Sequence, residues 1–213
     1  MNLAACRALV RGPETGVWYR AVRPRHWQTA LQTEQTQEHA SRYNEGSTAI
    51  RSFEVLYLAE NHEVALFEVE ALLGSPYGDG NGILLPNPRH SWLILNVRVR
   101  LQRVADLTRV SQQTLLSTSA QELTGDWQGY QRRQPHDSVR EPVGTAPTQV
   151  LGQALFGIRG LEGFRTLSAR RPARMILVVF PEKLLQGSAI EFSDDVGNTH
   201  RIEPRRKRRR RST

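Results

Sequence analysis

The chain has 213 residues, of which 38% are hydrophobic, and one cysteine, Cys6. This length can bury a core without disulfides. A single cysteine excludes an intramolecular disulfide, and the absence of a Cys/His cluster with zinc-site spacing argues against a structural zinc. The net charge is +8, but residues 205–211 (RRKRRRR) carry seven positive charges, which leaves 8 − 7 = +1 for the rest. The basic character therefore belongs to a C-terminal segment.

The longest aliphatic or aromatic run is MILVVF, residues 175–180, much shorter than the ~18 residues that a membrane-spanning helix needs. The first residues lack the basic and apolar regions of a signal peptide. We therefore expect a cytoplasmic protein that makes no membrane contact.

Local composition and alternation predict most of the secondary structure. In chain order we expect a strand over 17–22, a loop or weak helix over 28–38, a strand over 51–59, a helix over 62–73, a loop over 75–90, a strand over 91–107, a helix over 111–129, a polar connection over 131–147, a helix over 148–158 and a buried strand over 174–184. The order lacks regular βαβ alternation, and no repeat is visible. It predicts one α+β domain with a mixed sheet.

The helix that follows Asn61, a residue typical of an N-cap, carries an unusually placed carboxylate. Glu63 and Glu70 share its polar side, whereas Glu68 lies within the apolar arc. A buried carboxylate requires a partner because burial of an unpaired charge is costly. Glu68 is therefore either part of a buried salt bridge or a functional residue.

Three further residues are unusual for their positions. Arg20 interrupts the hydrophobic strand VWYRAV, Tyr57 ends the second strand, and Ser168 lies in a predicted loop before the last strand. Each has an ordinary explanation. Arg20 would occupy an exposed strand position or pair with a buried acid, Tyr57 would pack in the core, and Ser168 would be a turn or cap residue. Together with Glu68, however, they suit cleavage of a dinucleotide at its glycosidic bond. A guanidinium binds pyrophosphate, a tyrosine ring stacks on a planar base, and a carboxylate stabilises the oxocarbenium-like charge.

Familiar enzyme motifs are absent: the chain has no GxGxxG, P-loop, HExxH or GxSxG sequence. The motifs that it does contain resemble the RES domain family, named for Arg, Glu and Ser. The matching segments span roughly 14–195 and are VWYRAV with Arg20, SRYNEGS with Arg42, VLYLAENHEVALFEVE with Tyr57 and Glu68, and residues 148–184 with Ser168. LTGDW and the Thr-Gln pair at 148–149 also match. The chain departs from the family in having Leu167 where Pro is common, and Tyr43 where Trp is common.

The resemblance implies a fold similar to the ADP-ribosyltransferase toxins, formed around a cleft that binds NAD⁺ as substrate, with no other cofactor. It implies the toxin of a type II toxin–antitoxin pair, with an Xre-type helix-turn-helix antitoxin as partner. It also implies catalytic and substrate-binding residues. The four catalytic residues are Arg20, Tyr57, Glu68 and Ser168, and the three residues that contact substrate are Arg42, Tyr19 and Tyr43.

Three functions remain open at this point. The first is NAD⁺ degradation with water or phosphate as acceptor, and the second is ADP-ribose transfer to a protein. The third is a non-catalytic protein whose tail, residues 203–213, is disordered and contacts nucleic acid or an acidic surface through residues 205–211. The third predicts salt-sensitive binding that is lost on truncation at Glu203.

Overall fold

The longest strands of the protein, β1 (Arg11–Val22) and β5 (Leu93–Asp106), pair with each other along most of their length. In the computed structural model, the described residues are 1–49, 51–73, 85–86, 91–132, 144–171 and 173–204. The other strands are β2 Leu56–Ala59, β3 Leu72–Leu73, β4 Leu85–Pro86, β6 Gly163–Leu167, β7 Met175–Val179, β8 Ala189–Ser193 and β9 Thr199–Ile202. The α-helices are α1 His62–Glu68, α2 Val110–Leu115, α3 Ala120–Thr124, α4 Trp127–Arg132 and α5 Pro147–Phe156. Short 3-10 helices span Leu3–Ala8, Pro24–His26, Glu34–Gln37, Gly46–Thr48 and Pro181–Lys183.

The main sheet has seven strands in the order β1-β2-β7-β6-β5-β8-β9, and an additional β1–β5 pairing joins its first and fifth members. Five strands therefore close into a ring, with β8 and β9 attached at β5. The β5–β6 pair is parallel and the remaining pairs are antiparallel. The sequence predicts one α+β domain with a mixed sheet, and a single domain of mixed sheet and few helices is confirmed.

Both faces of the sheet are buried at β7, which explains why MILVVF is apolar throughout. Along β7, Ile176 and Val178 join one hydrophobic cluster, and Leu177 and Val179 join the other. Successive strand residues point to opposite faces, so a strand buried on both sides needs no polar alternation. The first cluster also contains residues of α1 and α5, so these helices cover one face.

Helix α1 is shorter than predicted and ends at Glu68. Glu70 has a φ of 57°, in the left-handed region. The amides of Glu70 and Ala71 donate to the carbonyls of Phe67 (3.0 Å) and Leu66 (2.8 Å). This is the Schellman pattern that terminates helices, here without glycine. The prediction of a helix to Leu73 is wrong because this local turn overrides the apolar periodicity.

The predicted helix over 111–129 is also wrong, since the segment contains α2, α3 and the start of α4. Ser117 has a φ of 49° and breaks the first helix. Ser119 then caps α3, its side chain accepting from the amide of Glu122. LTGDW, which was predicted as the end of one helix, is the junction between α3 and α4.

The second predicted strand begins later than expected, at Leu56. The preceding amides bond to side chains instead: Glu54 N–H donates to Glu182 Oε1 (2.8 Å) and Val55 N–H to Thr36 Oγ1 (3.0 Å). Within the predicted loop over 75–90, residues Leu85–Pro86 form β4 and pair with β3. The other residues of that loop lie outside the described residues.

The bounds of the first and the last predicted strands also differ from those in the structure. The first strand starts at Arg11, before the predicted 17, because β5 provides a long pairing partner. The last predicted strand ends at Val179, before Pro181 opens a 3-10 helix. Strands β6, β8 and β9 were not predicted.

Residues 133–143 of the polar connection and 205–213 of the basic tail lie outside the described residues.

No helix in the described part of the chain combines the length and the apolar character needed to cross a membrane.

Candidate active site

A cleft of about 770 Å³ opens beside the first and second strands and the C-terminal end of α1. Its walls come from separate parts of the chain: β1, the turn at 41–42, β2, α1, the α3–α4 junction and the loop after β6. Five of the seven predicted site residues line this cleft: Tyr19, Arg20, Arg42, Tyr57 and Glu68.

Glu68 is held at the cleft by Ser168. The serine hydroxyl accepts a hydrogen bond from Arg171 N–H (2.9 Å) and donates its single proton to Glu68 Oε1. Ser168 is fully buried, directly after β6. Among the described residues, no hydrogen-bond partner is found for Oε2 of Glu68, which leaves that oxygen for a ligand.

The position of Glu68 at the last residue of α1 is electrostatically unfavourable. The C-terminal end of a helix carries partial negative charge, so a carboxylate there is destabilised rather than stabilised. The hydrogen bond from Ser168 offsets this cost. A carboxylate kept in such a place is typical of a functional residue.

Ion pairs connect the segment around α1 to the loop after β6. Arg171 pairs with Glu63 (2.9 Å), Arg174 pairs with Glu60 (3.4 Å), and Arg170 pairs with Glu70. Glu63 and Glu70, expected on the polar side, are therefore engaged across the site. These contacts hold the two segments that carry Glu68 and Ser168 in register.

Tyr57 presents its ring to the cleft while its hydroxyl is anchored. The hydroxyl shares a hydrogen bond with Ser41 Oγ (2.8 Å) and accepts one from Tyr43 N–H (3.2 Å). The pKa of Tyr57 is raised to about 12, chiefly by burial and also by the Glu68 carboxylate, against the lowering effect of the Ser41 and Tyr43 hydrogen bonds and of the Arg42 charge. The phenol is neutral at physiological pH, so it is suited to stacking and hydrogen bonding rather than to acid–base catalysis.

Arg20 reaches the cleft from β1. Its Nη1 donates to the carbonyl oxygen of Tyr57 (3.0 Å), whereas its Nε is buried without a hydrogen-bond partner among the described residues. Burial lowers the pKa of Arg20 to about 10, so the group remains charged at neutral pH. A half-buried cation with a donor to spare is a favourable site for an anionic ligand.

Arg42 uses one of its guanidinium nitrogens for hydrogen bonds within the protein. Its Nη1 donates to the carbonyls of Gly125 (2.5 Å) and Leu123 (3.4 Å), which holds the α3–α4 junction at the cleft. Its Nε and Nη2 make no hydrogen bond within the described chain and remain able to contact a ligand.

The two remaining predicted tyrosines differ in position. Tyr19 lines the cleft and packs edge-on against His62 at 6.3 Å between ring centroids. Tyr43 is fully buried, its hydroxyl bonded to Leu123 O (3.2 Å) and Thr166 Oγ1 (3.0 Å). The prediction that Tyr43 contacts substrate does not agree with this placement, because its ring packs on Phe164 in the core. Tyr43 supports Tyr57 through its amide instead.

The family model of the RES domain matches residues 17–197. The chain belongs to the RES domain family. This RES domain is similar in fold to a chain of a crystal structure described as the M. tuberculosis MbcT–MbcA toxin–antitoxin complex, with a TM-score of 0.61 and 16% identity over 95% of this chain and 92% of that chain. A search of curated proteins finds no match.

Two residues outside the set of predicted site residues hold the site of this RES domain together. Gln149, at the start of α5, donates to the carbonyl of Ser41 (2.9 Å) and so holds the turn that carries Arg42. Gly152 lets α5 approach that turn, since a Cβ there would lie 1.9 Å from the carbonyl oxygen of Tyr43. The Thr-Gln pair at 148–149 signalled Gln149, but its partner was not predictable.

Trp127 and its neighbours belong to the LTGDW segment, for which the sequence predicts no role in the site. Thr124, Gly125, Asp126, Trp127 and Gln128 all line the cleft of the RES domain. Trp127 adds an aromatic side chain to the lining of the cleft. Within the described residues, His, Cys, Asp and Glu form no cluster of three or more that could hold a metal ion.

Proposed function

We propose that this RES domain protein cleaves the bond between nicotinamide and ribose in NAD⁺ and acts as the toxin of a toxin–antitoxin pair. The observation that carries the proposal is the pairing of Glu68 with Ser168 at a cleft that also contains Arg20 and Tyr57. A fixed carboxylate, a cation with a spare donor and an aromatic ring match three parts of the substrate: the ribose, the pyrophosphate and the base. The family match and the fold similarity to a toxin–antitoxin complex support the biological role.

In the proposed reaction, the C1′–N1 bond breaks and its electron pair returns to the nicotinamide ring, whose positive charge is neutralised. The ribose then carries oxocarbenium-like charge. Oε2 of Glu68 stabilises that charge, because a preorganised carboxylate in a partly dry cleft interacts strongly with a developing cation. Ser168 keeps the carboxylate oriented, so little reorganisation is needed.

The acceptor completes the reaction at C1′. Water adds, loses a proton and gives ADP-ribose, whereas inorganic phosphate gives ADP-ribose phosphate. Arg20 holds the pyrophosphate, Arg42 adds a further contact, and Tyr57 stacks on nicotinamide. Orientation as well as binding then depends on Arg20, so Arg20→Ala should raise KM and lower kcat together.

Glu68→Gln tests the proposal most directly. We expect nicotinamide release, followed by HPLC with and without phosphate, to fall by at least about 100-fold. The matched control is Glu191→Gln, on β8 and outside the cleft lining, which should stay within a few-fold of wild type. Nicotinamide release at the wild-type rate by Glu68→Gln would refute the assignment. Growth arrest on expression should likewise be lost only in Glu68→Gln, and co-expression of a helix-turn-helix antitoxin partner with the wild type should restore growth.

Transfer of ADP-ribose to a protein uses the same site with a side chain as acceptor. The exposed residues at the cleft, including Asp126, Gln128 and Arg170, give a protein acceptor access. Labelled NAD⁺ incubated with cell lysate separates the two functions. A discrete labelled protein band indicates transfer, and free ADP-ribose or its phosphate indicates degradation.

A further inference from the structure

A second pocket, of about 610 Å³, lies next to the cleft and shares Arg20 with it. We call it the basic pocket and define it by Arg20, Arg23, Arg25, His26 and Trp92. It is formed by the end of β1, the 3-10 helix that follows and the residue before β5. Because Arg20 lines both spaces, a ligand in one can approach a ligand, or another part of the same ligand, in the other.

The charge of the basic pocket is one-sided. Three arginines line it, and its described lining contains no Asp or Glu. Arg25 Nε–H donates to His26 Nε2 (3.0 Å), so that nitrogen acts as an acceptor and the guanidinium is oriented by it. Arg20 contributes the buried Nε that has no hydrogen-bond partner in the described chain. Such a set of unneutralised guanidinium groups favours a phosphoryl group, which accepts several charge-assisted hydrogen bonds.

The volume and the lining residues of the basic pocket indicate a ligand larger than a free anion. Its volume far exceeds the space of one phosphate group. The guanidinium of Arg23 lies over the Trp92 ring at 5.8 Å, and Val22 and Ala30 add apolar surface. A planar guanidinium and an indole offer flat surfaces on which a nucleobase can stack. A phosphate that carries a planar heterocycle matches both features.

We propose that the basic pocket binds a phosphorylated nucleoside. Its source is either the adenylate half of the dinucleotide whose nicotinamide half occupies the cleft or a separate mononucleotide. The first source rests on the proposed NAD⁺-cleaving function, and the second does not. In both cases Arg23 and Arg25 contact the phosphate, and Arg20 connects the basic pocket with the cleft.

The test uses the full chain and adenosine 5′-monophosphate as probe, in calorimetric titrations. We expect the double variant Arg23→Gln/Arg25→Gln to bind this probe at least about 10-fold more weakly than wild type, since two charge-assisted contacts are lost. The matched control is Arg100→Gln/Arg159→Gln, which removes the same charge at exposed positions and should bind as wild type does. Adenosine, which lacks the phosphate, should also bind at least about 10-fold more weakly.

Titration of NAD⁺ into Glu68→Gln, with and without the double variant, identifies the source. If the adenylate half occupies the basic pocket, NAD⁺ affinity falls in parallel and the mononucleotide competes with NAD⁺. If a separate mononucleotide binds there, both ligands bind together and NAD⁺ affinity is unchanged. Equal binding of the probe by the double variant and the control, or no binding to wild type, overturns the proposal. Nicotinamide release by wild type reports on the proposed function separately, so the two can fail independently.

Discussion

Ser168 and Glu68, 100 residues apart in the chain, meet through a hydrogen bond from the serine hydroxyl to Oε1 of the carboxylate. The amide of Arg171 donates to the same hydroxyl and thereby fixes the direction of its proton. Glu68 thus has one oriented oxygen and one that is open to the cleft.

Ser168→Ala should reduce kcat for nicotinamide release by about 10–100-fold, because a hydrogen bond to a charged group contributes about 1.5–3 kcal/mol. KM should change less, since Ser168 acts through Glu68. Ser188→Ala is the matched control: Ser188 is also buried, but its hydroxyl has no partner in the described structure. If kcat is the same in both variants, Ser168 does not position Glu68.

Tyr57 separates the role of a ring from that of a hydroxyl. Tyr57→Phe keeps the stacking surface but leaves Tyr43 N–H without its acceptor, so we expect the free energy of unfolding to fall by about 1–3 kcal/mol. Tyr57→Leu removes the ring as well and should reduce kcat/KM for NAD⁺ much further. Kinetics and thermal melts of both variants measure this. Equal kcat/KM values in the two variants would contradict a stacking role for the ring.

Gly152→Ala should destabilise the protein although alanine is the better helix former. The added Cβ would lie 1.9 Å from the carbonyl oxygen of Tyr43, so α5 or the turn must move. We expect a loss of about 1–3 kcal/mol in the free energy of unfolding, as for other overpacked sites. Gly157→Ala serves as control, because Gly157 is exposed and has ordinary helical angles. Guanidinium titrations should show the loss in Gly152→Ala only.

The lowered pKa of Lys183 predicts that the free energy of unfolding rises with pH. Burial, together with the nearby charges of Arg51 and Arg11, lowers its pKa from 10.5 to about 8. Between these two values the unfolded chain binds more protons at this group than the folded chain, so the free energy of unfolding increases as pH rises.

The size of this effect should be about 1–2 kcal/mol between pH 7.5 and 9.5, after a discount for solvent screening. Urea titrations at several pH values measure it, and the upper limit avoids the titration of tyrosines. Lys183→Met should lack this component of the pH dependence, and the same slope in wild type and variant would assign it to other groups.

The predicted core positions agree with the structure in β5, where apolar and charged residues alternate along the strand. Along β5, Val97, Val99 and Leu101 are buried while Arg98 and Arg100 are exposed, as predicted. Asn61 caps α1, accepting from the amide of Val64 (2.9 Å). Strands β6, β8 and β9 escaped prediction because short strands acquire their structure from pairing with neighbours that are distant in sequence.

The sequence by itself determined which face of β5 is buried, where α1 begins, and that Glu68 is an anomaly on an apolar side. These are consequences of side-chain period and capping chemistry, which act over a few residues. Only the tertiary structure decided that Tyr43 lies in the core and that Ser168 contacts Glu68. The last of these depends on the antiparallel register of β6 with β7 and of β7 with β2, which carries the loop after β6 to the end of α1. Such long-range register arises from packing of the whole sheet, and no local pattern encodes it.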